Sequence, residues 1–171
     1  STSRTNRVFS ALAALVLLVL LSPVFIAIAL LIKVTSSGPV FFIQQRTGFR
    51  GRRFGMFKFR TMVKNAEELK ESLRHLNKHG ADSIDFKIDN DPRITRIGGF
   101  LRKTSLDELP NLINVVLGNM RLVGPRPTSF NASTYHDEHL GRLGIYPGIT
   151  GLWQISGRSD IDFDQRVELD L

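Results

Sequence analysis

The residues with the clearest chemical potential are two adjacent carboxylates, Asp107 and Glu108, in a segment that reads Arg-Lys-Thr-Ser-Leu-Asp-Glu-Leu-Pro over 102–110. A helix is predicted from Ser105 to Leu117, which places both acids in its first turn. Neighbouring helical residues point about 100° apart, so the two carboxylates are suited to different tasks. One is suited to attack a phosphorus atom, and the other to hold a metal ion that bridges phosphates. A capping box of Ser105 and Glu108 explains the same residues without any chemistry.

Basic side chains suited to phosphate lie in three further places. Arg126 stands between two prolines, and such a rigid mounting suits a guanidinium that grips a phosphate in one orientation. The same Pro-Arg-Pro sequence is also common in loops that have no function. Arg102 lies just before the acidic pair and would offset phosphate charge. Lys58 and Arg60 alternate along a predicted strand, so they point to the same face.

Histidine and cysteine give little support for a protein-only metal site. The four histidines form two close pairs, His75 with His79 and His136 with His139, and neither pair has a convincing third ligand. We interpret them as surface residues. The absence of cysteine excludes disulfides and thiolate zinc sites, and it allows a reducing compartment.

The elements that must position these groups begin with an uncharged apolar run from Val8 to Ile32. As a straight helix the run would measure about 37 Å, enough to cross a hydrocarbon core of about 30 Å. Pro23 has no N–H for the carbonyl of Val19, so a kink is expected there, and Ser22 is expected to donate to the carbonyl of Leu18. Each leg alone is too short to span. This pattern predicts a re-entrant helix that enters the membrane, bends and returns.

Three other interpretations of this run stay open. A single spanning helix tolerates one proline, because neighbouring groups can repair the lost hydrogen bond. A secretory signal peptide would use Arg4 and Arg7 as its basic region and Ala27–Ala29 as its cleavage site, although the apolar run continues beyond that site. A buried core helix is disfavoured by the length. Basic residues on both sides of the run agree better with two cytoplasmic ends than with a spanning helix.

The predicted organisation is a membrane helix over 1–33 followed by one cytoplasmic, membrane-associated domain over 34–171. About 138 residues are enough for a modest core. The fold class is α+β and mainly helical, with a small β-hairpin and interfacial amphipathic helices. A surface helix packed on the core has the same amphipathic pattern as an interfacial one. The predicted elements are strands Val40–Gln45 and Arg53–Arg60 and helices Asn65–Lys78, Ile94–Leu101 and Ser105–Leu117.

The formal net charge of +7 favours anionic partners: phospholipid headgroups, nucleotides, phosphorylated substrates or nucleic acid. Aromatic and basic residues alternate over Arg53–Phe59, which faintly resembles an RNA-binding strand. The repeated strand and helix order of such a domain is absent, so a core hairpin with a basic outer face is preferred. No nucleic-acid partner is therefore expected.

Several of these segments occur in an order that is specific to one family. The segments are Ser22-Pro23, Gly-Pro-Val-Phe-Phe at 38–42, Lys-Phe-Arg-Thr-Met at 58–62, the block at 102–110 and Leu-Val-Gly-Pro-Arg-Pro at 122–127. Together they resemble the bacterial sugar transferases, the monotopic phosphoglycosyl transferases that prime glycan assembly on a polyprenyl phosphate carrier. The resemblance runs from about Val8 to Asp164. A further block, Tyr-Pro-Gly-Ile-Thr-Gly-Leu-Trp-Gln at 146–154, resembles the longer members that start exopolysaccharide or O-antigen repeats.

The resemblance implies a reaction, its partners and its place. A sugar-1-phosphate passes from a UDP-sugar to undecaprenyl phosphate with release of UMP, with Mg²⁺ as cofactor, at the cytoplasmic face of the bacterial inner membrane. Asp107 is implied as the nucleophile that carries the phosphosugar covalently, and Glu108 as its assistant. The family positions also imply Asp107 and Glu108 as metal ligands, Arg102, Arg126, Lys58 and Arg60 as phosphate-binding residues, and Ser22 and Pro23 as the re-entrant break.

This sequence departs from the family pattern in two ways. Asn111 stands where the family usually has glutamine, and the family normally continues beyond this C-terminus, so the chain is expected to be truncated there. The sequence fixes neither the sugar nor the oligomeric state, and a homo-oligomer is left open. One alternative is a membrane-anchored basic protein that binds nucleic acid or acidic lipid without catalysis. Another is an inert scaffold domain.

Overall fold

In the computed structural model the apolar N-terminal run forms two helices, α1 (Arg4–Leu20) and α2 (Ser22–Thr35). Within the described residues no single helix is long and apolar enough to cross a membrane. The two helices meet the length and composition test only as a pair, which is bent by 62° at the break. The re-entrant helix therefore stays a prediction.

The helix break lies where the sequence predicts it, and a serine side chain repairs it. α1 ends at Leu20, three residues before Pro23. The ring and the missing N–H of this proline disrupt the turn that precedes it. The Ser22 hydroxyl donates to the carbonyl of Val19 at 2.8 Å. The prediction that the Leu18 carbonyl is the acceptor was wrong. Val19 is the acceptor because its carbonyl is the one that the proline leaves without an N–H donor.

The structure describes residues 4–78, 88–129, 131, 141 and 143–151. The chain divides into two compact units, which are described separately. The first unit comprises Ser1–Pro23, Ile43–Lys58 and Glu108–Leu171, and the second comprises Val24–Phe42 and Phe59–Asp107.

The described strands form two small sheets. β1 (Phe41–Thr47) pairs with β2 (Arg53–Phe59), as predicted, and a single 3-10 turn at Phe49–Gly51 lies between them. β3 (Arg121–Val123) runs parallel to β4 (Gly148–Thr150), with the first residues of the two strands opposite each other. The second pair escaped the sequence analysis because three-residue strands are too short to show an alternating pattern.

The middle of the chain is less helical than the sequence predicts. The helix expected over Asn65–Lys78 is only α3 (Glu68–Ser72) followed by a 3-10 turn at Arg74–Leu76. α4 (Arg96–Lys103) forms as expected and begins at Thr95, whose side chain accepts a hydrogen bond from the Gly98 N–H at 2.9 Å.

The helix predicted from Ser105 to Leu117 is also broken. Ser105 has a φ of +58°, a left-handed conformation that cannot continue a right-handed helix. A 3-10 turn at Leu106–Glu108 follows, and α5 (Asn111–Val116) begins only after Pro110. The acidic pair therefore lies in a 3-10 turn rather than in the first turn of an α-helix.

The core of the first unit lies between α1, β2 and α5. Ala14, Met56 and Val115 are almost fully buried there. Leu112 and Met120 complete the cluster, with Leu18, Leu21, Phe54, Leu122 and Ile149 packed around it. Ala14 of α1 and Met56 of β2 belong to the same buried cluster, in which the unbranched methionine adapts its shape to its neighbours.

The second unit is built around Phe59, which is 1% exposed. Its ring packs against Phe25 and Phe41, with centroids 5.2 Å and 5.5 Å away. A buried ion pair also lies in this unit: Arg93 Nη2 is 2.6 Å from Asp91 Oδ2, and each side chain is only 6% exposed. Hydrogen bonding to Arg93 lowers the pKa of Asp91, so this pair stays ionised and fixes the loop before α4.

Candidate functional site

Two cations from distant parts of the first unit meet on one carboxylate, Glu108. Lys58 Nζ donates to Glu108 Oε1 at 2.9 Å. Arg126 approaches as a fork: Nη1 donates to Oε2 at 2.9 Å, and Nη2 donates to Oε1. Three of the predicted site residues are thus brought together, and the paired bonds fix the plane of the Arg126 guanidinium.

Lys58 reaches this cluster because β2 is tied to α5 by a buried asparagine. Asn114 is completely buried; its Oδ1 accepts from the Phe57 N–H at 2.9 Å, and its Nδ2 donates to the Gly55 carbonyl at 2.7 Å. The side chain therefore completes the hydrogen bonding of the strand just before Lys58. Sequence analysis missed Asn114, although one polar residue within the apolar run of α5 was a signal that could have found it.

Arg126 is mounted on the loop that leaves β3. Its two flanking prolines, Pro125 and Pro127, are buried, and their rings restrict the backbone on both sides. The β4 strand holds the same loop: the Gly148 N–H donates to the Pro125 carbonyl at 2.8 Å. The rigid mounting that the sequence predicts is therefore present, and Glu108 fixes the direction of the guanidinium.

The electrostatics of the cluster favour an ionised Glu108. Burial raises the pKa of this carboxyl, but the hydrogen bond from Arg126 and the charge of Lys58 outweigh burial and bring the pKa to about 2. The Glu108 side chain is 16% exposed. Two cations and one carboxylate leave the cluster with a net charge of +1, which suits an anionic ligand.

Asp107 directly precedes Glu108 in the 3-10 turn and is half-buried. A 3-10 helix has about 3.0 residues per turn, so adjacent side chains diverge by roughly 120°. The two acids were predicted to serve different tasks because of α-helical geometry. In the structure a 3-10 turn separates their side-chain directions instead. Glu108 binds the two cations.

The residues present fit a magnesium ion only in part. Across the described ranges no three His, Asp or Glu side chains are grouped so that they could hold a metal. Glu108 Oε1 accepts from both cations, whereas Oε2 accepts only from Arg126 and keeps a lone pair to which a metal ion can bind. Mg²⁺ is commonly bound through one or two carboxylates together with substrate phosphates, and Asp107 is the neighbouring carboxylate in the sequence.

Arg60, predicted to bind phosphate, is buried in the second unit and serves the backbone there. Its guanidinium donates to the carbonyls of Ser36, at 2.8 Å, and Ser37. Burial lowers the pKa of Arg60. Gly38 has a φ of +118°, and a Cβ at this position would overlap the guanidinium. Arg60 thus holds the turn after α2, and a role with phosphate stays a prediction.

Arg102, also predicted to bind phosphate, lies exposed in the last turn of α4. Its charge is a minor contributor to the lowered pKa of Asp91, in which the hydrogen bond from Arg93 has the largest share. Of the four histidines, His75 is exposed as predicted, and the other three lie outside the described residues.

Comparison with known proteins identifies the family. The model of the family described as "Bacterial sugar transferase" matches residues 1–171. The chain belongs to the bacterial sugar transferase family. Its resemblance to that family, first seen in the Asp-Glu and Pro-Arg-Pro blocks, is therefore confirmed over the full sequence.

Relatives with assigned names support this membership. The chain is 48% identical over 169 residues to the undecaprenyl-phosphate galactose phosphotransferase of Salmonella typhimurium. The aligned region covers 96% of this chain and 35% of that protein. It is 42% identical to the exopolysaccharide production protein ExoY of Rhizobium meliloti, over 96% of this chain and 74% of ExoY. It is 43% identical to the UDP-glucose:undecaprenyl-phosphate glucose-1-phosphate transferase of Xanthomonas campestris pv. campestris, over 84% of this chain and 28% of that protein.

Coverage differs among these relatives. The chain spans about a third of the Salmonella protein and about three quarters of ExoY. The bacterial sugar transferase segment of the longer relatives is therefore only part of each protein.

Proposed function

We propose that this chain transfers a sugar-1-phosphate from a UDP-sugar to undecaprenyl phosphate and releases UMP, and so initiates the assembly of an exopolysaccharide, a capsule or an O-antigen. The observation that carries the proposal is the fork of Arg126 on Glu108, joined by Lys58, directly beside Asp107 in a bacterial sugar transferase. Names of relatives support the substrate class, because two of them specify undecaprenyl phosphate as the acceptor.

The proposed chemistry consists of two displacements at one phosphorus atom. An Asp107 carboxylate oxygen attacks the sugar-bearing phosphorus of the UDP-sugar, and the bond from this phosphorus to the bridging oxygen breaks to release UMP. A phosphate oxygen of undecaprenyl phosphate then attacks the same phosphorus. The bond to Asp107 breaks, which regenerates the carboxylate and leaves the sugar on a lipid-linked diphosphate. A covalent intermediate lets a soluble and a lipid substrate use one site in turn.

Glu108 in this proposal positions the two cations. Phosphoryl transfer depends chiefly on positioning and on electrostatic stabilisation of oxygens that carry negative charge. Glu108 fixes Arg126 and Lys58 before substrate arrives, so the cations do not need to reorganise during the reaction. Lys58 and Arg126 are the residues proposed to bind phosphate oxygens here, and Arg102 is proposed to bind phosphate only because it matches a family position.

Magnesium is proposed as the cofactor that accompanies the diphosphate of the donor. Asp107 and Glu108 are proposed as its ligands, because Mg²⁺ is commonly held by one or two carboxylates together with substrate phosphates, and Glu108 Oε2 accepts only from Arg126. When bound, Mg²⁺ would neutralise charge on the diphosphate.

The proposed location is the cytoplasmic face of the bacterial inner membrane. The acceptor is a lipid, and the bent pair α1 and α2 is apolar enough to enter a bilayer as a re-entrant helix. A carrier phosphate lies at the level of the headgroups, so an anchor that enters only partway would keep the basic cluster near this level.

The test measures UMP release from a panel of UDP-sugars, with Mg²⁺ and undecaprenyl phosphate, by the purified chain in detergent. We expect one sugar to be preferred and Asp107→Asn to abolish release. Asp89→Asn is the matched control, because Asp89 is an exposed aspartate of the second unit. Wild-type protein given donor alone should also carry labelled phosphosugar on Asp107, in a bond that hydroxylamine cleaves.

Two results would contradict the proposal. UMP release at the normal rate by Asp107→Asn would exclude Asp107 as the nucleophile. A protein that binds acidic lipid or nucleic acid without catalysis would release no UMP from any donor, and substitution of Asp107 would leave its binding unchanged.

A further inference from the structure

We propose that Arg7 and Arg121 together form a binding site for the phosphate headgroup of an anionic phospholipid. Both belong to the first unit, and neither is part of the cluster around Glu108. The inference depends on the membrane location proposed above, but not on catalysis, and it concerns a different surface from the proposed active site.

Arg7 lies at the end of the packed stripe of α1. Ala14 and Leu18 of this helix face the core, and Arg7 is two turns before Ala14 on the same side. Because α1 packs against α5 and β3, this side carries the arginine to the end of α5. A Cβ built on Gly118, which ends α5, would come within 2.9 Å of Arg7 Nη2. The guanidinium therefore lies against Gly118, while Arg7 as a residue stays exposed to solvent.

Arg121, the first residue of β3, is held by an aromatic stack. Its guanidinium carbon lies 3.9 Å from the centroid of the Tyr146 ring, and this ring stacks on Phe49 with centroids 4.2 Å apart and planes 8° apart. Arg121 Nη1 also donates to the Met120 carbonyl at 3.1 Å. A planar guanidinium fixed in this way keeps its other N–H groups in a set direction, which suits recognition of phosphate oxygens.

The two guanidinium groups are close enough to affect each other. Burial is the largest cause of the lowered pKa of Arg121, and the charge of Arg7 adds to it. The ion pairs seen in the described part of the chain involve other cations, so neither arginine is paired with a carboxylate there. Two neighbouring positive charges without a carboxylate attract an anion that lies between them.

The surface beside the two arginines favours a lipid phosphate over a soluble one. α1 exposes most of its apolar side chains, among them Phe9, which is 70% exposed. Leu117, directly before Gly118, is 58% exposed. Arginine next to an exposed apolar surface is the pattern of a protein that lies among headgroups with apolar side chains below them. The proposed ligand is therefore an anionic phospholipid in a bilayer.

The test measures binding of the full chain to vesicles of phosphatidylcholine, with and without phosphatidylglycerol, by flotation. The variants are Arg7→Gln, Arg121→Gln and the double variant. Arg52→Gln is the matched control, since Arg52 is an exposed arginine of the same unit. A single surface cation near an anionic membrane contributes about fivefold to binding in general.

A shared site predicts more than this general effect. We expect each of the two single variants to lose about tenfold in the phosphatidylglycerol-dependent binding. The double variant should lose at most about twofold more, because either substitution already disables the site. Arg52→Gln should lose no more than the general effect. Additive losses, or an equal loss in Arg52→Gln, would overturn the site and leave only nonspecific attraction.

Two further experiments identify the source of the bound phosphate and check that the variants still fold. Vesicles with undecaprenyl phosphate in place of phosphatidylglycerol should show a weaker dependence on Arg7, and an equal dependence would overturn the assignment to a phospholipid. A 10-fold excess of inorganic phosphate over lipid should not compete, and competition would overturn the assignment to a lipid. UMP release in detergent should be unchanged in Arg7→Gln, and Arg121→Lys, which keeps the charge, should retain part of the binding. If the wild-type chain released no UMP, the proposed function would fail while the vesicle comparison would still decide this site.

Discussion

At the residue scale, the pKa of Glu108 gives the site a measurable signature. Its pKa in the folded protein is about 2, against an ordinary value of 4.5. The ionised Glu108 therefore stabilises the folded state through its bonds to Arg126 and Lys58. This contribution to the free energy of unfolding is fully present above pH 4.5, and it is lost as the pH falls from 4.5 towards 2. Between pH 6 and pH 3 the free energy of unfolding should therefore decrease by about 2 kcal/mol through this group alone.

The measurement is denaturant unfolding in detergent at the two pH values, with Glu108→Gln and the exposed Glu68→Gln as a matched pair. Glu108→Gln should lose this share of the pH dependence, and Glu68→Gln should keep it. An unchanged pH dependence in Glu108→Gln would show that the ion pairs with Lys58 and Arg126 contribute nothing to folding.

The fork of Arg126 leads to a second prediction at the same scale. Arg126→Lys keeps the charge but cannot make two parallel hydrogen bonds to Glu108, so the cation would lose its fixed orientation. UMP release should decrease at least about tenfold, chiefly in kcat. Arg52→Lys, an exchange of the same kind at an exposed position, should have no effect. Equal rates for the two variants would mean that charge alone matters at Arg126.

At the scale of elements, Asn114 is the connection on which the site depends. It joins α5 to β2 by two hydrogen bonds, at 2.9 Å and 2.7 Å, to backbone groups on either side of Met56. Asn114→Ala removes the partner of a half-buried N–H and a half-buried carbonyl, which should cost about 2 kcal/mol of the free energy of unfolding.

The same change should displace Lys58, which follows Phe57 on β2. UMP release should therefore decrease more in Asn114→Ala than in Asn119→Ala, whose side chain is only half-buried, when both are compared well below their melting temperatures. Similar stability and similar rates in the two variants would show that Asn114 does not position Lys58.

The boundaries of the helices were predicted correctly at Pro23 and wrongly at Ser105. Pro23 predicted the break between α1 and α2 correctly, because the ring and the missing N–H of proline act locally in any context. Ser105 looked like a helix cap, yet it takes a left-handed conformation and the chain enters a 3-10 turn instead. No property of serine demands this conformation, so tertiary packing decided it.

At the scale of the whole molecule, the prediction concerns topology. The chain has no native cysteine, so single cysteines at Thr5 and Ser36 can be labelled from one side of sealed vesicles. A re-entrant helix places both ends on the cytoplasmic side, and both cysteines should react from that side only. Labelling from opposite sides would show a spanning helix and would rule out the re-entrant interpretation.

The sequence by itself determined the family, the apolar run with its break, and the residue types of the site. These features are local: a run of uncharged residues, a proline, an Asp-Glu pair and an arginine between prolines can each be seen within a few neighbouring positions.

Only the tertiary structure decided which of these residues meet. Glu108 contacts Lys58, 50 positions away, and Arg126, 18 positions away. Arg60, by contrast, binds the backbone after α2, and Arg7 lies next to Gly118. Such partners depend on how helices and strands pack, because an ion pair between distant residues leaves no periodic pattern in the chain. The sequence therefore supplied the chemical groups, and packing assigned Glu108 to the two cations.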